Sequence, residues 1–215
     1  MIYEGCGIMD KEYLPKEKAI YQAVIALFED GADLNSLTVS EITKRAGIGK
    51  GTAYEYFSDK EEMIAKALFY NTEIFCKHLY EGIAEKESLY SKIDFLLLTM
   101  EEQIGNTNCI FRLMLLSDNS MLSKRMRELM EEKKSSGERP VMAIIDKILE
   151  DEFQNNKIPS EERMEYLVMS IFSKIWCFAL WLEKGAQRKP GDRAAMRKLV
   201  AEGICREVIY LSLHS

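Results

Sequence analysis

The sequence predicts an all-α protein: a three-helix N-terminal head containing a helix-turn-helix, residues 9–60, on a larger C-terminal helical body, residues 61–215. Three observations carry this reading. Apolar residues recur at three- and four-residue spacing along most of the 215 residues, and almost no stretch alternates apolar with polar residues as a half-buried strand does. Only four prolines occur in the chain. Helix-start and helix-stop residues punctuate the periodic stretches at regular intervals.

The first helix is expected from Pro15, which suits a first turn where its missing N–H costs nothing. Ile20, Val24, Leu27 and Phe28 give it one apolar stripe, and "DGAD" ends it. "TVSE" then reads as a capping box, with Thr38 as cap and Glu41 reaching back. Ile42 and Ala46 form the inward side of this short second helix, and Gly47 is placed to end it in the left-handed conformation. After "GIGKGTAYEYF", the string "SDKE" repeats the capping pattern with Ser58 and Glu61. It opens a long fourth helix carrying Met63, Ile64, Ala67, Leu68, Phe75 and Leu79.

The second and third helices are thus only a few residues apart, a helix-turn-helix. Gly47 makes the turn, and Gly49 and Gly51 thin the start of the third helix so that it can approach another surface closely. At 100° per residue with Ala53 inward, Phe57 joins the core. Gly51, Thr52 and Glu55 then point outward, Tyr54 and Tyr56 lie on the flanks, and Lys50 sits at the exposed N-terminal end.

The body is predicted from further stripes. Leu89, Ile93, Leu96, Leu97, Met100 and Ile104 make one helix, broken at Gly105. A short apolar segment, Cys109 to Leu116, and an amphipathic helix from Met121 follow, and another helix begins at Val141. Two long helices close the chain, about 161–184, capped by Ser160, and 193–213.

Composition bounds the function. A hydrophobic fraction of 47% beside 30% charged residues is an ordinary globular balance. The net charge of −6 excludes a protein that coats nucleic acid by bulk charge, so any DNA footprint is local. From Thr38 to Lys60 four cations face three acids, a local +1 that leaves −7 for the rest. The five cysteines are scattered without a C-x-x-C pair, which argues against a zinc site or a disulfide framework and fits a reducing cytoplasm. No metal or other cofactor is expected. Two histidines, His78 and His214, and no Ser/His/Asp, Cys/His or paired-carboxylate pattern give no catalytic constellation. The N-terminus lacks the basic and apolar regions of a signal peptide. The most apolar run, Ser170 to Leu182, is interrupted by Lys174, so no membrane partner is expected.

A third helix of this kind presents its N-terminal end to base edges and its flanks to phosphates. Lys50 can donate to guanine and Glu55 can accept from cytosine. Thr38, Thr52, Tyr54, Tyr56 and Lys60 can donate to phosphate oxygens, and Gly51 permits close approach. The whole string "LTVSEITKRAGIGKGTAYEYFSDKEEMI" resembles the DNA-binding signature of the tetracycline-repressor (TetR) family of bacterial regulators. The match rests on the Thr38 cap, the Ala46-Gly47 turn, Gly51-Thr52, Tyr54, Phe57, Lys60 and Glu61, and covers about residues 16–68. The resemblance implies a homodimer on double-stranded, palindromic operator DNA, and release by a small-molecule effector bound inside the body.

Two further expectations concern the body. Rings and thioethers in excess of simple stripes predict an apolar effector pocket lined by Phe95, Met100, Phe111, Met114, Met169, Phe172 and Trp176, with Lys174 as a counter-charge. The last two helices are expected to supply the dimer interface through Ile171, Ile175, Phe178, Leu182, Leu199 and Gly203.

Overall fold

The computed structural model describes residues 13–105, 121–135, 140–154, 160–185 and 189–213. Nine helices are found among them: α1 (Pro15–Glu29), α2 (Val39–Ala46), α3 (Lys50–Tyr56), α4 (Lys60–Ala84), α5 (Leu89–Gly105), α6 (Met121–Ser135), α7 (Pro140–Gln154), α8 (Glu161–Glu183) and α9 (Pro190–Leu213). No strand occurs among the described residues, and the all-α expectation holds.

The helix starts follow from chemistry. Pro15, Pro140 and Pro190 each occupy the first position of a helix, where a missing N–H is one of the orphan donors anyway. Pro190 therefore begins α9 three residues before the expected Arg193. Thr38 and Glu41 form the expected box: the Thr38 hydroxyl accepts from the Glu41 N–H at 3.3 Å, and the Glu41 carboxylate accepts the Thr38 N–H at 2.8 Å. At α4 the cap is Asp59 rather than the expected Ser58, and Glu62 rather than Glu61 reaches back. Asp59 accepts the Glu62 N–H at 2.7 Å, and Glu62 accepts the Ser58 N–H at 2.7 Å. Both residues cap well, and the charge of the Asp59 carboxylate also complements the helix dipole.

The described residues pack into two compact units, divided inside α4 after Lys77. One contains α1 to α3, the first part of α4, and α6. Its core is built from Ile20, Tyr21, Val24, Leu34, Leu37, Ile42, Ala53, Phe57, Met63 and Ile64, all buried. Leu27 and Phe28, expected on the same stripe, are only half-buried. The second unit holds the end of α4, α5, and α7 to α9. Ile93, Leu97, Met100, Ile148, Leu167, Ile171, Phe178, Ile204 and Val208 are buried there. Arg197 of α9 is tied to α5 by ion pairs to Asp94 at 3.0 Å and Glu101 at 2.6 Å. These acids hold the guanidinium charged against the desolvation that burial imposes.

α8 is long and apolar enough to cross a membrane by length and composition alone. Within its unit it instead packs against α5 and α9. The Lys174 that interrupts its apolar run bonds to Glu207 of α9, and Ser170 donates to the same carboxylate at 2.7 Å. Burial pushes the Glu207 carboxyl up, and the bonds from Lys174 and Ser170 outweigh it, holding it below its ordinary value.

Candidate nucleic-acid interface

The turn between α2 and α3 is fixed by Gly47. Its φ of 69° lies in the left-handed region, which a Cβ disfavours. There its N–H bonds to the Lys44 carbonyl at 3.3 Å and that of Ile48 to the Thr43 carbonyl at 3.1 Å, the Schellman pattern. Gly49, in extended conformation, then starts α3.

α3 is only seven residues long, too short to persist by backbone bonding alone. Two side chains anchor it. Ala53 is fully buried, and Phe57 is 2% exposed with its ring centroid 5.8 Å from that of Tyr21. Tyr21 in turn meets Tyr13 and Tyr70 at 5.5 and 5.2 Å, so α3 rests on a cluster of four rings. The remaining residues look outward: Lys50, Gly51, Tyr54 and Glu55 are exposed, and Thr52 and Tyr56 half-buried. A Cβ built on Gly51 would meet nothing within 4 Å. No neighbour among the described residues demands a glycine there.

Two cations of this candidate surface are engaged. Arg45 pairs with Asp30 at 2.9 Å, and the Lys60 ammonium donates to the Asn35 carbonyl at 2.8 Å. Lys44 and Lys50, both exposed, make no ion pair among the described residues. Thr38 is exposed, with its hydroxyl bonded to Glu41 at 2.7 Å. That bond, followed by the one from the Thr38 N–H, holds the Glu41 carboxyl below its ordinary value.

Sequence patterning gives no signal for one further tie. Arg125 of α6 reaches Asp59, the cap of α4, at 2.9 Å and Glu128 at 3.0 Å. Asp59 is held below its ordinary value, first by the Glu62 N–H.

The body residues named from sequence fall into three groups. Phe111 and Met114, with the segment Cys109 to Leu116, lie outside the described residues. Met100 is buried in the body core, and Trp176 is half-buried. Phe95 is half-buried, with its ring against the backbone of Gly82 and the Lys86 ammonium 4.9 Å from its centroid. Met169 and Phe172 are instead 68% and 45% exposed, on the outer face of α8 rather than in an internal lining. Lys174 is half-buried and paired with Glu207. Of the expected interface set, Ile171, Phe178 and Leu182 are buried in the protomer's own core, because α5 and α9 cover that side of α8. Ile175 is half-buried, and Leu199 is 61% exposed. Gly203 is half-buried with open space around its missing Cβ. An apolar groove of about 370 Å³ between α8 and α9 is lined by Cys177, Phe178, Trp181, Met196, Leu199 and Gly203, among others.

A short helix anchored by one face and presented after a tight turn is the arrangement by which a helix-turn-helix enters a DNA groove. Residues 20–67 match the family model of bacterial regulatory proteins, tetR family. That match spans α2, the Gly47 turn and α3, so the chain carries a head similar to the DNA-binding head of that family. The search of curated proteins gave no match.

Solved structures share the fold. FadR of Bacillus subtilis, in complex with stearoyl-CoA, is 20% identical with a TM-score of 0.62, over 87% of this chain and 96% of that one. FadR of Bacillus halodurans, a fatty acid degradation regulator, is 18% identical with a TM-score of 0.59, over 87% and 96%. A tetR-family regulator from Streptomyces coelicolor is 16% identical with a TM-score of 0.62, over 95% and 85%.

Proposed function

We propose that the protein is a dimeric repressor that reads a two-fold-symmetric operator with α3 and leaves it when a small apolar effector enters the body. The observation that carries this reading is the division of labour in α3. Ala53 and Phe57 are buried, whereas Lys50, Gly51, Tyr54 and Glu55 are exposed and uncommitted to the fold. Lys50 and Glu55 contact base edges in this reading, and Thr38, Thr52, Tyr54, Tyr56 and Lys60 position the head on phosphates. Residues 9–60 supply this reading function and 61–215 the effector and dimer functions. No catalytic step is assigned.

Dimerisation is supported by apolar side chains left outside the protomer core on α8 and α9. Tyr166, Met169, Phe172, Leu199, Ile209, Tyr210 and Leu213 are all exposed, and the groove beside Gly203 adjoins Leu199. Two heads roughly 34–36 Å apart would meet successive major grooves. An apolar effector is supported by the ring- and methionine-rich body, and a protein of similar fold is known with stearoyl-CoA bound.

The test is selection of operators from random duplexes, followed by salt-dependent gel shifts on the selected sequence and on DNA beside the coding region. Selection of an inverted repeat, bound far more tightly than random duplex, is expected. Equal affinity for both would overturn the reading.

A further inference from the structure

A second, smaller site lies in the head unit, away from the reading surface. α1, α4 and α6 enclose a cleft of about 340 Å³. Its lining joins ring faces to carboxylates: Tyr13, Tyr21 and Phe69 beside Glu17, Glu62, Glu128 and Glu132. Lys66 and Arg125 also line it, and each is already matched. Lys66 pairs with Glu62 at 2.7 Å, and Arg125 with Glu128 at 3.0 Å. Glu17 and Glu132 make no ion pair among the described residues, so the lining carries two unneutralised negative charges.

Tyr21 adds an independent sign. It is 2% exposed and lines the cleft, yet its hydroxyl makes no hydrogen bond among the described residues. The ring is held in the core while the hydroxyl opens into the cleft, where a ligand can reach it. Burial first, and then the charge of Glu17, makes the hydroxyl harder to ionise, so it remains a neutral group with lone pairs to offer. What suits all these features is a donor that is positively charged and has an apolar portion to lie on the rings. A bare metal ion does not suit them: no group of three metal-type ligands occurs among the described residues.

We propose that this cleft binds a small organic ammonium ion, with its charge between Glu17 and Glu132, its apolar portion on Tyr13 and Phe69, and an N–H donated to the Tyr21 hydroxyl. The site is independent of operator binding by α3 and stands or falls separately from it. Tyr21 also touches Phe57, the anchor of α3, so an occupant lies one ring from the reading helix.

The test is calorimetric titration of the full chain with benzylammonium, which has N–H donors, and benzyltrimethylammonium, which has none. Benzyl alcohol and benzoate are the neutral and anionic controls. Saturable binding of both cations and neither control is expected. Tyr21→Phe should weaken benzylammonium roughly 5- to 10-fold while leaving the quaternary ion unchanged, because only the former bonds the hydroxyl. The quaternary ion also reports whether that variant is folded. Glu132→Gln, on an exposed position, should weaken both cations about threefold. Absence of saturable binding by either cation, equal binding of benzyl alcohol or benzoate, or an equal effect of Tyr21→Phe on both cations would overturn the proposal.

Discussion

The guanidinium of Arg125 stands 2.9 Å from one carboxylate oxygen of Asp59, while the other oxygen accepts the Glu62 N–H at 2.7 Å. One side chain thus caps α4 and anchors α6. Asp59→Ala should cost about 1 kcal/mol of stability as a lost cap. Asp59→Asn retains the cap acceptor and should lose only the smaller contribution of an exposed ion pair. Thermal melts of the two variants separate the roles, and equal losses would refute the division.

The same residue sets a pH dependence. Its carboxyl titrates below the ordinary value when folded, so its stabilisation is complete above the ordinary carboxylate range and disappears as pH falls through the lowered folded value. The gap in melting temperature between wild type and Asp59→Ala should therefore be full at neutral pH and close in strong acid. A gap that widens on acidification would contradict the assignment.

Lys50→Ala should cost about 1–3 kcal/mol of discrimination between selected and scrambled duplexes. Lys44→Ala is expected to weaken all sequences alike and flatten the salt slope by about one unit. Lys60→Ala should do the same and also lower the melting temperature, because its ammonium holds the Asn35 carbonyl. Gel shifts across salt concentrations, read beside melting curves, distinguish the three.

Gly51→Ala is expected to move stability and function in opposite directions. Alanine favours a helix interior over glycine by up to about 1 kcal/mol, and the added methyl meets nothing within 4 Å. The variant should melt higher yet bind the operator less tightly, since the methyl would face the DNA in the proposed complex. Gly47→Ala, at φ 69°, should simply destabilise, by about 1–2 kcal/mol. Unchanged operator affinity in Gly51→Ala would remove the close approach from the model.

A Cβ at Gly203 meets no neighbouring element within 4 Å, and a melting curve of Gly203→Trp checks that the protomer stays folded. If the α8–α9 face joins two copies, the indole wedges them apart, and Leu199→Asp should act likewise. Sedimentation velocity at micromolar concentration would show monomers for both variants and a dimer for the wild type. A monomeric wild type that still binds a full operator tightly would contradict the dimer.

Local chemistry was the part of this protein most legible in its sequence. The Thr38–Glu41 box, the Gly47 turn and the inward pair Ala53 and Phe57 each depend on residues within five positions of one another. The slip at α4, from Ser58–Glu61 to Asp59–Glu62, came from two adjacent residues that both cap well. Distance along the chain hid the rest. Arg125 meets Asp59 across 66 positions, which no spacing rule anticipates. Apolar periodicity also placed Met169, Phe172 and Ile171 together on α8 without telling which face its neighbours cover. Ile171 is buried against them, while Met169 and Phe172 remain outside.

The separation of anchors from outward residues in α3 has a consequence for how such a head diversifies. Ala53 and Phe57 keep the helix in place, and positions 50, 51, 54 and 55 contribute almost nothing to the core. Substitutions at those four positions can therefore accumulate without passing through unfolded intermediates. With α3 reading DNA as proposed, a duplicated copy of this gene would be free to drift toward new target sequences one residue at a time, each step folded.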